Sequence, residues 1–213
     1  PARVRQPRSG RGQPGQALAP VRACPAPMNA PKKSEGHQPQ VLLIDADDTL
    51  WENNLHFEQA ITEFKQLLTR LRLPPDQIHE ELNRIEQRNI RLRGYGARRF
   101  VASLEETYLK LAGPQAEKSV VKSINQLIDL VLFQPISMYP EVPETLAYLV
   151  PRHRLWLFTK GDPEEQARKV KLSGLGGFFE ASEVVPEKDV SAFRRLLERH
   201  QFPPDRAWMV GNS

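Results

Sequence analysis

Cysteine is nearly absent from this 213-residue chain, and the single Cys24 allows neither an intrachain disulfide framework nor a cysteine-based zinc site. No run of 18 apolar residues occurs, which excludes a membrane-spanning helix. Acidic residues are missing before Glu35, and Phe, Trp and Tyr are missing from the first 39 positions. A segment so poor in large apolar side chains cannot bury enough surface to offset its ordering entropy. With no secretory-type apolar segment either, a cytoplasmic location is expected.

What the first 39 residues do contain is arginine, proline and glycine. They hold seven basic side chains against one acid, eight of the 19 prolines and four of the 12 glycines. They read as a disordered leader. The remainder carries 23 basic and 25 acidic residues, so the formal charge of +4 arises entirely from the leader. The leader's basic residues lack aromatic interleaving or a reading motif, so no nucleic-acid partner is expected, and no membrane partner either. The chain opens on Pro1 and first shows a methionine at Met28. Met28 is therefore expected to be the natural start, with residues 1–27 dispensable.

From residue 40 onward the pattern changes. Val41 to Ile44 form a short, continuous apolar run, as do Leu155 to Phe158, the shorter Val184–Val185, and Ala207 to Val210. Such runs suit strands buried on both faces of a parallel sheet. Helical segments at 142–150, 163–173 and 189–199 precede the last three, the middle one opening on Pro163 with Glu164 and Glu165 in its first turn. Residues 53–137 show no strand signal and read as four helices, with apolar stripes at Phe57–Leu71, Ile78–Ile85, Phe100–Leu111 and Val120–Val131. The fold expected is α/β, a doubly wound, Rossmann-like parallel sheet built from residues 40–52 and 138–213, with 53–137 inserted as a helical cap.

The chemistry is concentrated in Asp45-Ala46-Asp47-Asp48-Thr49-Leu50, directly after the first strand. Three acids in four positions repel one another unless a cation sits among them, and the carboxyl ends of parallel strands are where such sheets bind ligands. Asp48 fits a turn or helix cap better than a ligand.

With these residues in view, the chain resembles the haloacid dehalogenase-like hydrolase superfamily over about residues 40–213. Asp45 and Asp47 in VLLIDADDTL match its first motif, Thr159 closing LWLFT the second, Lys188 in VPEKD the third, and Trp208-Met209-Val210-Gly211-Asn212-Ser213 the start of the fourth. The resemblance implies a phosphate monoester hydrolase acting on a small phosphorylated metabolite. Asp45 would attack phosphorus to give an aspartyl-phosphate, and Asp47 would act as general acid and then base. Thr159 would bind the phosphoryl oxygens, and Lys188 would hold Asp45 and phosphate together. Mg2+ would bind Asp45 and the backbone carbonyl of Asp47. The resemblance also implies a further metal-binding aspartate a few residues beyond Gly211-Asn212-Ser213, so the 213-residue chain is expected to bind magnesium weakly and turn over slowly. Asp47 itself favours phosphate esters, because the carbon–halogen branch of the superfamily lacks an acid there.

Around these residues, Lys160 and Gly161 are candidates to line the phosphate pocket. In the insertion, five arginines between Arg88 and Arg99 surround a Gly-Tyr-Gly, and Asn89, Arg93 or Tyr95 is expected to face the cleft and meet an anionic substrate. Three rival readings share the motifs: a phosphotransferase using the same intermediate, a dehalogenase-type hydrolase, and a non-catalytic domain with this fold. Neither the physiological substrate nor the oligomeric state is legible in the sequence.

Overall fold

The computed structural model describes residues 39–212; the leader of residues 1–38 lies outside the described residues. Four strands form one parallel sheet: β1 (Val41–Ile44), β2 (Arg154–Lys160), β3 (Ala181–Val185) and β4 (Ala207–Val210), in the spatial order β3-β2-β1-β4. Leu43 of β1 lies between Trp156 of β2 and Met209 of β4. The chain builds outward from β1 through β2 to β3 and then returns to β1's other side. That reversal makes the gap between the ends of β1 and β4 the switch point where such sheets open a crevice.

The apolar runs of β1 and β2 are continuous because both faces of these two central strands are covered. Val41, Leu43, Trp156 and Phe158 pack on one face with Ala192 and Leu196 of helix α8 (Val190–His200). Ile44, Leu155 and Leu157 pack on the other with Leu146 of α6 (Val142–Leu149) and Leu175. The period-two alternation of the pleat thus splits β1 and β2 between two cores. β3 begins at Ala181, three residues before its apolar pair. β4 is the edge strand of this sheet, and its apolar run is covered on one face alone: Ala207 and Met209 pack in the core, while Trp208 is 57% exposed, contrary to the expectation of burial on both faces.

A third apolar cluster belongs wholly to the insertion. It is built from α1 (Asn54–Leu67), α2 (Pro75–Arg93), α3 (Ala97–Ala112), α4 (Lys118–Gln126) and α5 (Ile128–Leu132), around Phe64, Leu82, Leu104 and Ile124. Fully burying each such side chain stabilises the bundle by about 1.5–3 kcal/mol. The fourth stripe read from the sequence is two helices rather than one. The chain tightens at Leu127, whose N–H bonds the Ile124 carbonyl at 3.0 Å in a three-residue step, and α5 follows with its apolar residues still in the cluster. The insertion's two ends are stitched together, since Glu52 N–H donates to the Ser137 carbonyl and Tyr139 N–H to that of Leu50. Trp51, 1% exposed, sits beneath this seam. The remaining helix, α7 (Pro163–Ser173), leads from β2 toward β3. None of the helices among the described residues is long and apolar enough to cross a membrane.

Candidate active site

Asp45 follows β1 without a break, and its N–H continues the ladder by donating to the Val210 carbonyl at 2.9 Å. Its side chain is almost fully buried. One carboxylate oxygen accepts the Ala46 N–H at 2.8 Å and the Lys188 ammonium, and the Lys188 side chain is itself only 5% exposed. Burying two charges is tolerable only when each satisfies the other, and removing one partner of such a pair costs about 3–5 kcal/mol. Gly211 makes room for this arrangement. A Cβ there would stand 2.5 Å from the Asp45 Cβ and 3.1 Å from the Thr49 hydroxyl, closer than atoms can pack.

Asp47 projects from the same loop and is held by three side chains. The Trp51 indole N–H donates to one oxygen at 2.8 Å and the Gln166 amide to the other at 2.8 Å. The Lys169 ammonium lies 2.9 Å from both and also donates to the Asn53 amide oxygen at 2.7 Å. Gln166 and Lys169 lie one turn apart on α7, so a single helical face delivers both. Helix α7 is fixed by Asp162, whose carboxylate accepts the N–H groups of Glu164 and Glu165, and by Pro163 in its first turn. Neither Gln166 nor Lys169 is visible to motif reading. The signal that could have found them is their three-residue spacing on α7, the helix that follows the strand carrying Thr159.

Asp48 takes a left-handed turn conformation, φ 57°, and its carboxylate accepts the N–H groups of Asn53 and Asn54 at 2.9 and 3.0 Å. It thereby satisfies the start of α1, the turn-and-cap role expected of it. Thr159, 1% exposed, is the next-to-last residue of β2 and lines the same cavity as Asp45. Lys160 lies 3.9 Å from Glu187 and over the Tyr95 ring at 5.0 Å.

These groups open into a cavity of about 390 Å³ whose walls include Asp45, Asp47, Thr159, Lys160 and Gly161 from the sheet side and Asn89 and Tyr95 from the insertion. Lys188 reaches the site through its pair with Asp45. Arg93 is exposed and absent from the cavity wall, because the last turn of α2 carries it toward solvent. Among the five arginines the one on the wall is Arg99, and its guanidinium is engaged with Asp162 at 3.5 Å and with the Tyr95 carbonyl. Arg88 pairs with Glu106, holding that carboxyl below its ordinary range.

Asn89 is buried in the joint between α2 and α3, where its amide donates to the Ser103 hydroxyl at 3.0 Å and to Glu106 at 3.1 Å. Its oxygen accepts from Arg88 at 3.0 Å. The Tyr95 hydroxyl donates to Glu187 at 3.0 Å; burial, followed by that carboxylate, pushes the phenol's pKa up. Beside it the Ala97 N–H donates to Glu165 at 2.9 Å, so the Gly-Tyr-Gly turn is latched to the sheet domain.

The family profile of haloacid dehalogenase-like hydrolases matches residues 39–213. The chain belongs to that family. A haloacid dehalogenase-like family hydrolase from Xanthomonas campestris shares 31% identity over 85% of this chain and 76% of its own, with a TM-score of 0.78. A 2-haloacid dehalogenase from Pseudomonas syringae shares 19% identity over 83% of this chain and 79% of its own, TM-score 0.53. A predicted phosphoglycolate phosphatase from Haemophilus somnus shares 18% over 83% and 78%, TM-score 0.53. These last two share the fold with this hydrolase. No curated protein matches the chain.

Proposed function

We propose that this hydrolase cleaves phosphate monoesters through an aspartyl-phosphate on Asp45. The observation that carries the reading is the placement of a second carboxylate, Asp47, on the wall of the same cavity as Asp45 and clamped there by Trp51, Gln166 and Lys169. Carbon–halogen cleavage expels a halide that needs no proton. An alkoxide leaving from phosphorus does need one, and a positioned acid supplies it.

In this mechanism the Asp45 carboxylate is held by the Ala46 N–H and Lys188 so that it meets phosphorus in line, and the ester oxygen departs toward Asp47, which protonates it. Asp47, now a base, takes a proton from water attacking the aspartyl-phosphate. Lys188 stays beside Asp45 as negative charge builds on the phosphoryl oxygens, and Thr159 and the Lys160–Gly161 backbone bound the pocket in which those oxygens sit. An unassisted phosphate monoester is among the slowest biological reactions, with accelerations reaching about 10²¹, so every one of these groups has a barrier to lower.

The donor chemistry fits magnesium: the Asp45 carboxylate and the Asp47 backbone carbonyl are hard oxygens, and magnesium binds through few protein oxygens while keeping waters and substrate phosphate as its other ligands. Among the described residues no cluster of three acidic, histidine or cysteine side chains adds to them. When bound, magnesium would neutralise charge on the transferring phosphoryl group.

The test is product identity. Incubated with magnesium, the protein should release inorganic phosphate from p-nitrophenyl phosphate and no halide from 2-chloropropionate, and Asp45→Asn should abolish the release. Halide release without phosphate release would establish the dehalogenase chemistry instead.

A further inference from the structure

The cavity wall is lopsided in how its ionisable groups are used. Each cation on it has a partner: Arg99 has Asp162, Lys160 has Glu187 and Lys169 has Asp47. Among the carboxylates, Asp48 and Glu165 accept backbone N–H groups, and Asp45 and Asp47 are held as described. Glu86 is the exception. It projects from α2 onto the cavity wall, half-buried, and among the described residues nothing donates to it.

A second acceptor on the same wall is also unsatisfied. The Gln166 side chain is 3% exposed, and its amide nitrogen donates to Asp47 and to the Lys160 carbonyl at 2.8 and 3.3 Å. Two acceptors on the nitrogen fix which end of the amide is oxygen. That oxygen is buried with no hydrogen-bond partner.

We propose that the cavity selects a small phosphate ester whose other end carries an ammonium group, with Glu86 as the residue that recognises it. This rests on the phosphatase reading and names its substrate class. Buried acceptors without donors are costly, and a carboxylate withdrawn from water is most relieved by a cation. Burial accordingly pushes the Glu86 carboxyl up. A substrate with a second anionic end finds no unpaired cation on the wall and meets Glu86 as a like charge. The volume of about 390 Å³ is at the small end of ligand cavities. The walls of Phe57, Ile61 and Phe100 suit a short carbon linker.

Three esters of nearly equal size separate the possibilities: 2-aminoethyl phosphate, 2-hydroxyethyl phosphate and 2-phosphoglycolate, with p-nitrophenyl phosphate as the reference. In the wild-type protein kcat/KM should fall in that order, with the amine favoured over the alcohol by about tenfold or more. In Glu86→Gln the amine-to-alcohol ratio should collapse to about one. The ratio is internal to each sample, so partial misfolding of the variant does not disturb it.

Equal rates for amine and alcohol in the wild type, preference for phosphoglycolate, turnover of p-nitrophenyl phosphate with none of the three, or an unchanged ratio in Glu86→Gln would each overturn the assignment while leaving phosphatase chemistry standing. No phosphate from any of the four would remove the phosphatase reading and this inference with it.

Discussion

The Lys169 ammonium sits 2.9 Å from both carboxylate oxygens of Asp47, the two residues 122 positions apart in the chain. An isolated lysine and aspartate on a surface would contribute little. Here both side chains are about four-fifths withdrawn from solvent, and Lys169 is pinned in turn by Asn53. The pair therefore helps to fix where the Asp47 carboxylate stands. In the proposed mechanism Lys169 would be a positioning residue, acting through Asp47.

Replacing Lys169 with methionine should accordingly cost most where a proton is most needed. With an alkyl phosphate kcat/KM should drop by about ten- to a hundredfold, while p-nitrophenyl phosphate, whose leaving group departs as a stable phenolate, should lose about threefold or less. Steady-state rates with both substrates check this; equal losses would indicate a merely structural pair.

Gly211→Ala should damage the site from behind. The added Cβ would overlap Asp45, and relief by shifting β4 or the Asp45 loop costs about 1–3 kcal/mol. Thermal denaturation should register a lower Tm, and kcat should fall because the displaced group is Asp45 itself.

The three candidate residues of the insertion should separate cleanly. Arg93→Ala should leave kinetics and stability within error, being exposed and off the cavity. Asn89→Ala should lower stability by about 1–3 kcal/mol, because it strips donors and acceptors from a buried joint. Tyr95→Phe breaks the bond to Glu187 that latches the Gly-Tyr-Gly turn and should raise KM several-fold with kcat little changed. Denaturant unfolding and Michaelis curves for each variant provide the comparison.

Acid should loosen the helical insertion through Glu81. Its carboxyl is lowered from 4.5 to about 2, chiefly by its hydrogen bond to Arg84 and despite the opposing effect of burial, with Lys110 of α3 adding to the lowering. The unfolded chain thus binds a proton that the folded chain does not. The stabilisation is fully present above about pH 4.5 and disappears as the pH falls toward 2. Wild type should be more stable than Glu81→Gln at neutral pH, with the difference shrinking through that window; a pH-independent difference would exclude the linkage.

How much of this was legible in the sequence follows from the range of each interaction. The strand Val41–Ile44 and the helix Pro163–Ser173 were readable because their signals are local: an unbroken apolar run, a proline in the first turn and acids beside it. Asp45 and Asp47 stood out because they directly follow an apolar run, whereas Thr159 and Lys188 were picked out only by their resemblance to the family's motifs; one lies near the end of β2 and the other in the loop after β3. The break at Leu127 was not readable, since the apolar spacing of Val120 to Val131 runs on across the three-residue step there. Nor was the arginine-rich stretch: the chain shows five cations, but Arg88 and Arg99 are committed to Glu106 and Asp162, acids distant in sequence. Gln166 and Lys169 escaped for the same reason. Their partner Asp47 is brought to them by the sheet, and nothing adjacent in the sequence announces it.

The central claim is that Asp45 carries the phosphoryl group. Asp47→Asn protein mixed with p-nitrophenyl phosphate and magnesium should still form the adduct, because that leaving group needs no acid, but should hydrolyse it slowly for want of a base. Acid quenching followed by peptide mass spectrometry should find one phosphoryl group on Asp45. Phosphate released by the wild type with no adduct on Asp45 in the variant would contradict the account.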